Sequence, residues 1–231
     1  MKHIRKGREP AALREWRLTQ KSSPHNLVYG AIPGNALDKV RDALLREQGY
    51  ICAYSMMRVA SRERGHIEHI VAQSKSRGTD WSVRYDNMIY CYPGKDAPRC
   101  EFGAHEKDGK VFQPGELVSP LDATCEVRFA FERDGSVSAT TESDEAARKT
   151  ISILNLDCNA LRQARKAAID SLPMFNPARR RITARQATGL AERVLERDAD
   201  GKFRAFAVAL AQAAARYAKR QAARETALGP G

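Results

Sequence analysis

Apolar residues in this chain recur with two different periods. Leu37, Val40, Leu44 and Leu45 follow one another at the three-to-four spacing of a helix face, with Asn35 as the predicted N-cap and Gly49 as the stop. Around the centre the runs shorten. Residues 50–52 predict a short strand, residues 66–71 a second one, the polar run 73–85 a long loop, and residues 101–107 the start of a helix. Further on, residues 126–132 alternate as a strand, Asp134-Gly135 is a hairpin turn and residues 136–140 return. Ser143 or Asp144 can cap a helix over 145–154, and helices over 159–172, 177–197 and 202–224 follow, the last with Phe203, Phe206, Leu210 and Tyr217 as a core-facing stripe. The pattern predicts an α+β, mainly helical protein with one β-hairpin. It divides the chain into an arm and helix (1–49), a central module (50–118) and a hairpin with basic helices (119–231). Residues 1–17, with Pro10 and little apolar pattern, read as an extended arm, which suits either a phosphate backbone or plain disorder.

Composition narrows the partners. With 231 residues and 42% apolar content the chain can bury a real core, and no run approaches the roughly 18 apolar residues that span a bilayer. Five cysteines without a compact framework suit a reducing cytoplasm. The net charge of +11 favours a polyanion, and residues 146–231 hold nearly all of that excess, with 17 Lys or Arg against 7 Asp or Glu. Arg179, Arg180 and Arg181 fall where a helix is predicted to begin, an end that disfavours cations unless an anion sits there.

The chemistry concentrates in residues 50–107. Ile67-Glu68-His69-Ile70 sets a carboxylate beside an imidazole between apolar residues, and His66 shares the face of Glu68 in a strand. Adjacent strand residues point oppositely, so Glu68 and His69 need a strand end or a bend to converge. A hard divalent cation prefers oxygen ligands, and a neutral imidazole serves as ligand or as general base. The pair therefore makes sense if Glu68 and His105 hold a metal while His69 takes a proton from water. As a dipeptide alone it reads equally well as a solvated strand edge.

Order raises the odds. Cys52-Ala53-Tyr54-Ser55 looks like a knuckle whose second thiol is serine, Asn87 stands ahead of an apolar run ending at Cys91, and Cys100 precedes His105 by five residues. This series resembles the HNH endonucleases, and the opening residues 1–17 with Tyr50-Ile51-Cys52, Ile67-Glu68-His69-Ile70 and the later Leu154, Leu156, Leu161 and Arg165 are similar to the HNH nucleases of Septu and retron anti-phage systems. The resemblance implies a ββα-metal module. Glu68 and His105 would be its metal ligands, for Mg²⁺ or Mn²⁺, with His69 its general base and Asn87 tying down the loop beside that base. It also implies an ATPase partner and a nucleic-acid substrate, DNA above RNA. A structural Zn²⁺ would use Cys52, Cys91 and Cys100, with a fourth ligand from His66, Cys125 or elsewhere, because zinc takes four. Lys75, Arg77, Arg84 and Lys107, with Arg179, Arg180 and Arg181, are the candidate phosphate contacts. The rival reading is a non-catalytic subunit that binds nucleic acid or a partner.

Overall fold

The computed structural model describes residues 1–73, 80–107, 110, 112–113, 115–176 and 181–227. Among them are seven α-helices and two two-stranded antiparallel sheets, an α+β architecture. No described helix is long and apolar enough to cross a membrane.

The residues expected to form a free arm are docked. Met1 and Ile4 are buried, and the Ile4 amide donates to the Pro120 carbonyl at 2.8 Å. Lys2 pairs with Glu126 at 2.8 Å, and Lys6 pairs with Glu47 at 3.0 Å beneath the Tyr85 ring. Arg17, in helix α1 (Ala11–Thr19), bridges Glu9 and Asp80. These cations are spent on internal acids, and two apolar anchors outweigh the segment's weak periodicity.

Helix α2 (Gly34–Glu47) buries Ala36, Val40, Leu44 and Leu45, the stripe that the spacing predicts. It begins after Pro33 and not at Asn35, whose side chain instead takes the Ala36 amide at 2.9 Å. Gly49 turns the chain at φ +58°, and an added Cβ would meet the Phe203 ring at 2.4 Å. Only glycine suits both conditions there. The strand expected at residues 50–52 is reduced to one bridge, Ile51 to Arg58.

Strand β1 (His66–His69) pairs antiparallel with β2 (Met88–Cys91), His66 opposite Cys91 and His69 opposite Met88. A lone two-stranded ribbon is marginal in water and needs packing. Here every residue of β2 is buried, and its free edge is closed by Gln48, which donates to the Tyr90 carbonyl at 2.8 Å and accepts from the Tyr90 amide at 2.7 Å. Helix α3 (Ala104–Lys107) is a single turn facing this ribbon.

Beyond residue 119 the hairpin pairs β3 (Phe129–Phe131) with β4 (Val137–Ala139). The strand starts later than alternation suggests, because Cys125–Arg128 forms a 3₁₀ turn. Helices α4 (Glu145–Ile153), capped by Asp144, α5 (Asn159–Asp170), α6 (Ala184–Arg193), with a Thr183–Gln186 capping box, and α7 (Ala207–Ala227) complete the chain. Phe203 and Phe206 precede α7, so the expected stripe is only partly helical, and Phe206 sits at φ +58°. The N-terminal part of the helix expected over 177–197 lies outside the described residues. Met1, Ile4, the β1–β2 ribbon, β3 and helices α1, α2, α4, α5 and α7 all contribute to one hydrophobic core.

Candidate active site

Glu68 and His69, the last two residues of strand β1, both line one cleft. His66, Glu68, His69, His105 and Lys107 all line a cleft of about 1260 Å³, closed on other sides by Tyr29, Leu37, Arg41, Arg62, Gln73, Lys95 and Lys110.

His69 is 4% exposed and rigidly held. Its Nε2 lies 2.9 Å from the Ser82 carbonyl, and Tyr29 meets its ring edge-on at 4.8 Å. A carbonyl only accepts, so Nε2 carries the proton, and in the neutral ring Nδ1 carries the lone pair. The Gln73 amide at 3.2 Å donates to that Nδ1. Burial pushes the imidazole below its ordinary value, against the opposing pull of the Ser82 carbonyl and Glu68, with Lys107 lowering it further. The group is thus neutral and basic at Nδ1.

Asn87 is 2% exposed and stitches the loop to the ribbon. Its Oδ1 accepts the Val71 amide at 2.8 Å, and its Nδ2 donates to the carbonyls of Val71 at 3.1 Å and Trp81 at 2.9 Å. Trp81 precedes Ser82, so the same side chain secures the carbonyl that orients His69. The Ile70 amide donates to the Asn87 carbonyl at 3.0 Å, which continues the ribbon one step past His69.

Glu68 is met by Lys107. The ammonium lies 2.7 Å from Glu68 Oε1, donates to the His69 carbonyl and reaches the Ile70 carbonyl at 3.3 Å. Lys107 is 5% exposed. Expected to touch phosphate, it is instead spent on the strand end. Short α3 explains this, because its last residue points back over β1.

His66 Nδ1 lies 2.6 Å from the Pro93 carbonyl, and its ring stacks on that of His105, centroids 5.5 Å apart and planes 18° from parallel. His105 Nδ1 accepts the Cys100 amide at 3.1 Å. Among the described residues no three His, Cys, Asp or Glu side chains stand close enough together to hold a metal ion. A Mg²⁺-like ion needs only one or two protein ligands, with water and substrate phosphate filling the rest, so a carboxylate and a neutral imidazole on one cleft fit it.

The thiols form a different group. Cys52 and Cys91 are buried and share a hydrogen bond. Burial raises the Cys52 thiol, but bonds from Cys91, the Ser55 hydroxyl and the backbone of Ser55 and Tyr92 overcome it and bring it down to about 6; Cys91 is pushed well above the ordinary range by burial and its neighbour. Cys100 is half-buried and donates to the Phe102 carbonyl at 3.1 Å. Ser55 therefore satisfies Cys52 as a donor where a second thiol would have been a ligand. Among the described residues Cys52, Cys91 and Cys100, the thiols expected for zinc, do not come together as a three-ligand group.

Among the expected phosphate contacts, Arg84 folds onto Asp86 at 2.5 Å and over the Trp81 ring, away from the cleft lining, and Arg181 is exposed. Lys75, Arg77, Arg179 and Arg180 lie outside the described residues. Sequence reasoning passed over Gln73, Ser82 and Tyr29 as partners of His69, and Arg41, Arg62, Lys95 and Lys110 on the cleft wall. Backbone carbonyls leave no trace in side-chain pattern, and the wall residues converge from distant segments. Compared with known protein families and with curated proteins, the sequence matches none.

Proposed function

We propose that the chain is a metal-dependent phosphodiesterase, an HNH-type endonuclease built on the β1–β2 ribbon and α3, that cuts nucleic acid, DNA above RNA. The observation that carries the reading is the fixed tautomer of His69. Its Nε2 is committed to the Ser82 carbonyl, so Nδ1 is the basic nitrogen of the ring, held by the Gln73 amide at 3.2 Å and lying beside a carboxylate on the cleft.

In this reading His69 takes the proton from the attacking water, a role worth about 10²–10⁴-fold. The attacking water takes the place of the Gln73 amide at the receiving nitrogen, and Asn87 keeps the Trp81–Ser82 carbonyls in place. Glu68 and His105, both on the cleft, would hold the divalent cation, one as the anionic and the other as the neutral ligand. A divalent cation bound there would stabilise charge on the scissile phosphate and its leaving oxygen. The basic excess of the C-terminal helices serves a polyanion, and the resemblance to defence nucleases assigns a cytoplasmic role beside an ATPase.

The Lys107–Glu68 ion pair favours a second reading: a cleft whose acid is already neutralised binds nucleic acid without cutting it. Plasmid nicking by the purified protein and by His69→Ala, with Mg²⁺ or Mn²⁺ and with EDTA, separates the two. Metal-dependent cutting lost in the folded variant is the expected result. Equal cutting by both proteins refutes the assignment of His69, and no cutting of DNA or RNA under any condition transfers the site to the binding reading.

A further inference from the structure

Two side chains on the cleft wall, Tyr29 and Arg41, have donors to spare. Tyr29 opens a single 3₁₀ turn, Tyr29–Ala31, and its ring meets that of His69 edge-on at 4.8 Å, directly beside the proposed base. Its hydroxyl has no hydrogen-bond partner among the described residues and is not sealed from solvent, so it opens on the cleft. Burial pushes this phenol above its ordinary value and the charge of Arg41 pulls it back, which sets the guanidinium near the hydroxyl. Arg41, in α2, gives Nη1 to Asp38 at 2.8 Å and keeps Nε and Nη2 without a partner among the described residues. The two side chains are 34% and 46% exposed, so their pairing adds little to stability and leaves the guanidinium open to a second anion.

We propose that Tyr29 and Arg41 hold the scissile phosphate, both donating to the non-bridging oxygen that the metal ion does not take, an assignment that rests on the nuclease reading given above. A water that gives its proton to His69 attacks the phosphorus, so the phosphate must lie one water away from that ring, and Tyr29 is already there. As the water adds, negative charge builds on the non-bridging oxygens. The cation meets one of them, and the other requires donors already aimed at it. Arg41 is the cation of the wall best placed to help. Arg62 faces three acids, Asp38, Asp42 and Glu63, and Lys107 is held by Glu68, whereas Arg41 meets Asp38 alone. Neither donor gives up its proton: a phenol and a guanidinium both stay protonated at neutral pH, so each contributes a hydrogen bond and nothing more.

Tyr29→Phe removes the hydroxyl and keeps the ring against His69, so it separates donation from packing. Plasmid nicking by the full-length chain with Mn²⁺ is expected to show kcat lowered about 10- to 100-fold in this variant, with KM and Tm near wild type. Arg41→Ala should lower kcat by a similar factor. It should also reduce the salt slope of duplex binding, measured in EDTA, by about 0.9, the mark of one lost phosphate contact. Because both side chains serve one phosphate, the double variant should lose less than the product of the single losses. Wild-type kcat in Tyr29→Phe, with Tyr29→Ala impaired, reduces Tyr29 to packing and overturns the proposal while His69 and the nuclease reading stand. Single losses that multiply in full, or an unchanged salt slope in Arg41→Ala, overturn the shared phosphate. A wild type that cuts with no metal removes the nuclease reading and this proposal with it.

Discussion

Asn87→Ala tests the stitch that holds the site together. The substitution removes three buried hydrogen bonds at once: the Val71 amide at 2.8 Å, the Val71 carbonyl at 3.1 Å and the Trp81 carbonyl at 2.9 Å. A buried donor without a partner costs about 1–3 kcal/mol, and carbonyls tolerate the loss of one partner better. Taking about 2 kcal/mol for the amide and about half a kcal/mol for each carbonyl, the variant should lose about 3 kcal/mol. For a chain of this size that is a fall in Tm of about 6–12 °C. Calorimetry measures the fall, and hydrogen exchange at the Val71 amide locates it. The effect on function is larger than the stability loss implies, because the freed Trp81–Ser82 segment no longer fixes the tautomer of His69. At a temperature where the variant is fully folded, cleavage should still drop. A Tm within about 3 °C of wild type together with unchanged protection at Val71 would refute the reasoning.

Three further outcomes follow from named contacts. His69 is held below its ordinary value by burial, and as a base it must be neutral, so kcat/KM should climb with pH only to a break under about 6.5 and stay level above it; a break above neutrality would contradict this. In stability the depressed group acts the same way: the unfolded chain takes the proton near 6.5 while the folded one resists it, so stability is level above that pH and falls below it, and His69→Gln should flatten that fall. Lys107→Met strands the Glu68 carboxylate and two carbonyls. Because Glu68 is 22% exposed, the cost should be about 2–4 kcal/mol, somewhat less than for a fully buried pair, and an unchanged urea midpoint would show the pair contributes nothing. Gly135→Ala adds a Cβ 2.0 Å from the Arg162 carbonyl at φ +86° and should cost more than about 2 kcal/mol, whereas Gly201→Ala, at φ +74° in open space, bears only the strain of its backbone, about 1–2 kcal/mol.

Periodicity and local chemistry carried the secondary structure. The stripe Val40–Leu44 predicted α2, the acid-histidine run between isoleucines predicted β1, and Asp134-Gly135 predicted the hairpin, because each depends on residues close in the chain. Asp144 capping α4 is of the same kind. The arm was misread because its anchors, Met1 and Ile4, find their pocket against Pro120 and Cys125, a hundred residues away. Lys107, named as a phosphate contact, lines the cleft but is held by Glu68 and the His69 and Ile70 carbonyls, partners from a distant strand end that its own neighbours in sequence do not reveal. The candidate residues could be named from their order, but their protonation could not. Which nitrogen of His66, His69 and His105 holds a proton is decided by the carbonyls of Pro93 and Ser82 and the amide of Cys100. Those groups are identical in every residue, so sequence cannot distinguish them, and only the folded backbone brings the right one to each ring.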